Sequence, residues 1–137
     1  MSLLLIRHSR ETVLPDTFQL PAEIAGHRLD CCHCSSLPAL ATCLREACSR
    51  RPQWVLIENA STDEAQWATH GATVCNALDL LPVPYIEIAR HDADTLEAHL
   101  HPSHAATALV VCSSGDDDAR RLSLAITARL LQRGQEN

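Results

Sequence analysis

The chain has 137 residues, 46% of them apolar and 20% charged, with 11 Lys+Arg against 17 Asp+Glu for a net charge of −6. That length fits one domain spanning residues 1–137. Its longest apolar runs fall far short of the roughly 20 residues that cross a bilayer, and no charged-then-apolar leader opens the chain, so neither a membrane nor a secretory route is expected. The acidic balance and the four rings Phe18, Trp54, Trp67 and Tyr85 argue against nucleic acid as a partner.

Apolar runs alternate with helical patterns along the chain, which predicts a parallel sheet covered by helices. Strands are expected over residues 2–7, 28–32, 54–58, 84–89 and 107–112. The connection from Arg7 to Arg28 carries Pro15 and Pro21 and has room for one short helix at most. Residues 37–50 place Leu37, Leu40, Ala41, Leu44 and Cys48 at helical spacing, and the stretch up to Leu81 does the same with Val74, Cys75, Leu78 and Leu81. Before it, Ser61-Thr62-Asp63-Glu64 reads as a capping box, which would put His70 inside a helix. The last helix is expected after Gly115, with Asp116, Asp117 and Asp118 at its positive end, Arg129 and Arg133 near its negative end, and Leu122, Ala125, Ile126 and Leu130 as its buried stripe. Ligand crevices in such sheets lie beyond the C-terminal ends of the strands, which selects residues 7–11, 58–62, 89–91 and 113–115.

Cys31, Cys32, Cys34, Cys43, Cys48, Cys75 and Cys112 are odd in number, and reduced cytoplasmic thiols are the simplest reading. Cys31-Cys32-His33-Cys34 looks like a metal motif, but neighbouring strand residues point to opposite faces, so no metal is expected. His99, His101 and His104 flank Pro102, which breaks any helix that would align them, and they read as solvent-exposed loop histidines. Arg7, His8 and Arg10 after the first strand, with Arg90 and His91 after the fourth, would surround one crevice suited to a small anionic ligand. The competing reading pairs Arg7 and Arg90 with Glu11, Asp92 or Asp94 on the surface.

Two families resemble parts of this pattern. Leu-Leu-Leu-Ile-Arg7-His8 and Thr69-His70-Gly71 resemble the two histidine motifs of histidine phosphatases, in which a His nucleophile lies among cationic side chains. The residues before His70, Asp63-Glu64-Ala65-Gln66-Trp67-Ala68, are not the apolar strand which that family has there. A longer resemblance, from about Gly26 to Leu131, is to type II 3-dehydroquinate dehydratases. It rests on Arg45-Glu46-Ala47-Cys48 leading into Trp54-Val55-Leu56-Ile57-Glu58-Asn59, on Val83-Pro84-Tyr85-Ile86-Glu87-Ile88, and on Ala108-Leu109-Val110-Val111-Cys112 followed by Gly115 and by Ala128-Arg129-Leu130-Leu131.

That resemblance implies a flavodoxin-like α/β three-layer sandwich with a five-stranded parallel sheet, no cofactor, and assembly into trimers or dodecamers. It implies an enolate mechanism: a lid Tyr as base, an Asn with a water stabilising the enolate, and a His held by a Glu as general acid. Asn59, His70 and Glu87 fall on the substrate-loop Asn, the general acid and the neighbouring carboxylate, although Asn59 and His70 stand further apart than in the family. His8 and Glu11 are the candidate replacement bases. The lid Arg falls near Thr17 with no Tyr after it, and Ala89-Arg90-His91 replaces the carboxylate-binding His-Leu-Ser. The expectation is a cytoplasmic dehydratase-like protein with its activity lost or strongly reduced, keeping a crevice for a small anionic or polyhydroxylated molecule. An active 3-dehydroquinate hydro-lyase with a replacement base is the alternative.

Overall fold

A computed structural model describes residues 2–8, 23, 24, 26–59, 64–89, 96, 100, 103, 104, 106–111 and 125–132. The strands are β1 (Ser2–His8), β2 (Glu23–Ile24), β3 (His27–Cys34), β4 (Trp54–Asn59), β5 (Tyr85–Ala89) and β6 (Ala108–Val111), and the helices α1 (Leu37–Arg50) and α2 (Glu64–Asp79). Residues 125–132 are also helical. The sheet order is β2-β3-β1-β4-β5-β6. Pairing is parallel from β3 through to β6, so the five expected parallel strands are present in the flavodoxin order.

The sheet gains a sixth strand that the sequence reading did not foresee. β2 pairs antiparallel with β3 through Ile24↔His27 and Glu23↔Arg28, inside the stretch expected to hold a short helix at most. The chain reverses there at Gly26, whose φ of +85° lies in the region where a Cβ is disfavoured.

Burial on both faces explains why the strands read as continuous apolar runs. On one face Leu4 and Ile6 of β1, Val55 and Ile57 of β4 and Tyr85 of β5 pack with Leu37, Leu40 and Leu44 of α1 and Trp67, Val74 and Leu78 of α2. On the other, Leu3, Leu5, Leu56, Ile86, Ile88 and Val110 form a second core with Leu131 of the C-terminal helical residues. Three layers result, helices enclosing the sheet.

Helix α1 has the limits its sequence predicts. The Ser36 side chain accepts a hydrogen bond from Ala39 N at 3.2 Å, and a proline occupies the first turn, where its missing N–H costs nothing. Its buried stripe includes Cys43 and Ala47, and the expected core residue Cys48 is only half-buried, its thiol directed to Leu80 O at 3.5 Å. At the far end Arg51 adopts φ +49°, while its N–H donates to Ala47 O at 2.9 Å. Glycine holds that left-handed cap without a Cβ clash. Arg51→Gly is therefore expected to stabilise the protein by about 0.5–1 kcal/mol, read as a rise in the urea midpoint with an unchanged m-value.

Candidate functional site at the sheet switch point

Winding reverses between β1 and β4, because the chain goes from β1 outward to β3 and then returns to β1's other side for β4, β5 and β6. Ligands of open parallel sheets bind beyond the strand ends at that reversal. The residues there pair Arg7↔Glu58 and His8↔Asn59.

Strand alternation divides these residues between the two faces. Arg7 follows Leu3 and Leu5 onto the face covered by helical residues 125–132, where its Nε lies 3.8 Å from Glu58 Oε2. The carboxylate beside Arg7 is thus its cross-strand neighbour, and Glu11, Asp92 and Asp94 lie outside the described residues. His8 follows Leu4 and Ile6 onto the α1/α2 face and is only 3% exposed. Its register neighbours are Asn59 on β4 and Cys34 on β3. Adjacent in sequence, Arg7 and His8 serve different faces of the sheet.

Cys34 is buried, and its thiol donates to Arg7 O at 3.6 Å. Burial pushes the thiol up to about 12, and a neighbouring Cys32 charge adds to the rise. Across the same face Glu87 pairs with Ile57 in the middle of β5 and is 1% exposed. Its Oε1 accepts the backbone N–H of Leu96, which ties the chain after β5 back to the sheet. A carboxylate at an apolar face requires such donors, since unsatisfied it would carry the full cost of desolvation.

His70 lies inside α2 and is half-buried, on the flank of the stripe formed by Trp67, Val74 and Leu78. Its neighbour Gly71 sits where a Cβ would meet Leu100 Cδ2 at 3.0 Å. The Thr69-His70-Gly71 sequence is therefore mid-helix, with glycine at a close approach, and does not terminate a strand as the phosphatase motif does. Arg10, Arg90 and His91 lie outside the described residues, as do His99 and His101.

Tyr85 is buried, and its hydroxyl donates to His104 O at 2.7 Å. The His104 ring meets the Tyr85 ring edge-on at 5.1 Å, its Nδ1 is 3.1 Å from Leu78 O, and its backbone N–H donates to Asp79 Oδ1 at 3.1 Å. Expected as a solvent-exposed loop histidine, His104 instead staples the segment before β6 to the end of α2. No sequence periodicity marks that role, because its partners Leu78, Asp79 and Tyr85 are distant in sequence and are brought to it by the tertiary fold. Glu58 falls in the selected stretch 58–62, whereas Cys34 was missed as a neighbour of His8. The available signal was its position at a strand end, in register with His8.

A depression of about 550 Å³ lined by Ser2, Arg28, Asp30, Cys31 and Arg50 lies at the opposite end of the strands, where Arg28 is already paired with Asp30 at 3.1 Å. Among the described residues no three His, Cys, Asp or Glu side chains are arranged to hold a metal ion. No described helix is long and apolar enough to cross a membrane.

No protein-family model and no curated protein matches the chain. Solved structures do. The type II dehydroquinase of Propionibacterium acnes superposes with a TM-score of 0.59 at 19% identity, covering 94% of this chain and 99% of that one. That of Butyrivibrio crossotus DSM 2876 gives 0.56 at 14% identity, covering 93% and 95%. The fold is that of the type II dehydroquinases. The chain spans nearly the full length of these dehydroquinases.

Two outcomes follow from this geometry. Glu87→Ala is expected to cost about 2–4 kcal/mol, from the lost hydrogen bond to Leu96 N and the space left behind, measured by urea unfolding. Cys34 makes stability pH-dependent in the alkaline range. Its thiol titrates near 9 when unfolded and near 12 when folded, so unfolding releases a proton between those values and stability falls as pH rises. Cys34→Val should lose about 1 kcal/mol less than wild type between pH 8.5 and pH 10, measured by denaturant titration at each pH.

Proposed function

We propose that this protein is a divergent relative of the type II dehydroquinases in which the family's dehydratase activity is lost or strongly reduced, and that its switch-point crevice takes a small anionic or polyhydroxylated molecule. The observation that carries this reading is Tyr85. It is the sole tyrosine of the chain, and its buried hydroxyl is committed to His104 O. The sequence resemblance implies a tyrosine base on a mobile lid, and a phenol fixed inside β5 cannot act as one. Glu87, whose carboxylate is bound to Leu96 N, and His70, which lies within α2 rather than at a strand end, support the same conclusion. Losing one acid–base group typically slows an enzyme by about 10²–10⁴-fold, so losing several leaves little turnover.

A second reading has its own support in His8. This buried imidazole stands at the switch point beside Asn59, where a replacement base would be wanted. In that case the protein is an active 3-dehydroquinate hydro-lyase with His8 taking the proton that the family gives to tyrosine. Arg7, Arg10, Arg90 and His91 then bind the substrate carboxylate or hydroxyls. Assembly into trimers or dodecamers and a cytoplasmic setting with reduced thiols belong to both readings.

Purified protein incubated with 3-dehydroquinate, followed by ultraviolet absorbance of the conjugated enone of 3-dehydroshikimate, separates them. The expected result is no turnover above that of the His70→Ala and His8→Ala proteins run in parallel. Turnover abolished by His8→Ala, with the variant's fold intact by circular dichroism, would overturn the lost-activity reading and establish the replacement base.

A further inference from the structure

We propose that Cys32 and Cys43 are a redox pair that closes into a disulfide tying β3 to α1 when the protein meets a low-molecular-weight disulfide such as oxidised glutathione. Their Sγ atoms are 2.9 Å apart, a contact closer than thiols ordinarily make and within reach of the roughly 2.05 Å of a covalent bond by a small side-chain movement. Neither Cys32 nor Cys43 is in a disulfide in this structure.

The sequence produces this contact through two periodicities meeting. On β3 alternation sends Cys32 and Cys34 to the α1 face and leaves Cys31 and His33 on the other. On α1 the buried stripe brings Cys43 down onto the sheet beside Leu40 and Leu44. Cys34 also stands beside Cys43, but its thiol donates to Arg7 O at 3.6 Å, and the 2.9 Å approach of Cys32 to Cys43 makes these two the natural pair within the trio. The two sulfurs differ in access: Cys32 is half-exposed, whereas Cys43 is buried.

That difference sets the order of steps. The Cys32 thiolate attacks one sulfur of the oxidant, forming a mixed disulfide and expelling one small thiolate. Cys43 then gives its proton to solvent and its sulfur attacks Cys32, which forms the protein disulfide and releases the second small thiol. Two protein thiols are oxidised, one small disulfide is reduced to two thiols, and two electrons are transferred. Burial and the adjacent Cys32 raise the Cys43 thiol well above its usual range, so closure should accelerate with pH.

The test uses the whole protein, equilibrated with oxidised glutathione. Free thiols are alkylated with one reagent in denaturant, disulfides are reduced, and the released thiols are labelled with a second. Trypsin cuts only after arginine here, so Leu29 to Arg45 emerges as one peptide carrying Cys31, Cys32, Cys34 and Cys43, and tandem mass spectrometry reads each position. The expected result is the second label on Cys32 and Cys43 in equal amounts, with the oxidised protein melting roughly 5–10 °C higher than the reduced protein. In Cys43→Ser the reaction should stop with glutathione on Cys32. The second label on Cys32 without Cys43 in the wild type, on Cys32 with Cys34, or on neither Cys32 nor Cys43 would overturn the proposal. The wild-type mapping decides it even if the variant fails to fold.

Discussion

Burial of the parallel sheet on both faces is the constraint from which the rest of the structure follows. A central strand such as β1 has no solvent side, so each residue must satisfy one of two cores. Apolar residues do this by packing. Where the strand ends, the same rule sends Arg7 toward Glu58 and the C-terminal helical residues, and His8 toward Cys34 and the α1/α2 layer. The site at the switch point is consequently split by the sheet that builds it. A ligand beyond the strand ends would meet a cation–carboxylate pair on one side and a buried imidazole on the other.

Much of the polar inventory that could have served chemistry is held by the architecture instead. Tyr85, His104 and Asp79 form a chain of hydrogen bonds that fixes the segment before β6, and Glu87 fixes the segment after β5. Tyr85 and Glu87 are withdrawn from water, where an unmade hydrogen bond costs more than a made one gains. Gly71 belongs to the same economy of space, since it lets α2 approach Leu100. The polar groups available at the switch point are therefore fewer than a list of histidines and carboxylates suggests. His8 stands there, with Asn59 at the adjoining strand end.

Helix α1 links the two themes. Its capped N-terminus and apolar stripe fix its rotation over β3, and that rotation brings the Cys43 sulfur against Cys32, two residues before the Cys34 that neighbours His8. Cysteine serves here as a small apolar core residue, and its reactivity follows from a packing decision. The redox pair and the switch-point site thus share the C-terminal half of one strand.

The order of elements, the limits of α1, the five parallel strands and the absence of an available tyrosine base were all legible in the sequence, because each depends on local periodicity or on a residue count. Leu37 to Arg50 reads as a helix from its spacing, and the strands read as apolar runs of the right length. The antiparallel β2 was not legible, since two residues beside a glycine carry too little pattern to register as a strand. Which groups pair was not legible either. Arg7 with Glu58, His104 with Leu78 and Asp79, Glu87 with Leu96 and Cys32 with Cys43 depend on register and helix rotation, which bring together residues that the sequence keeps apart. Local pattern determined what the chain folds into, and the tertiary structure alone decided which polar groups became structural and which face of the sheet each reactive side chain would occupy.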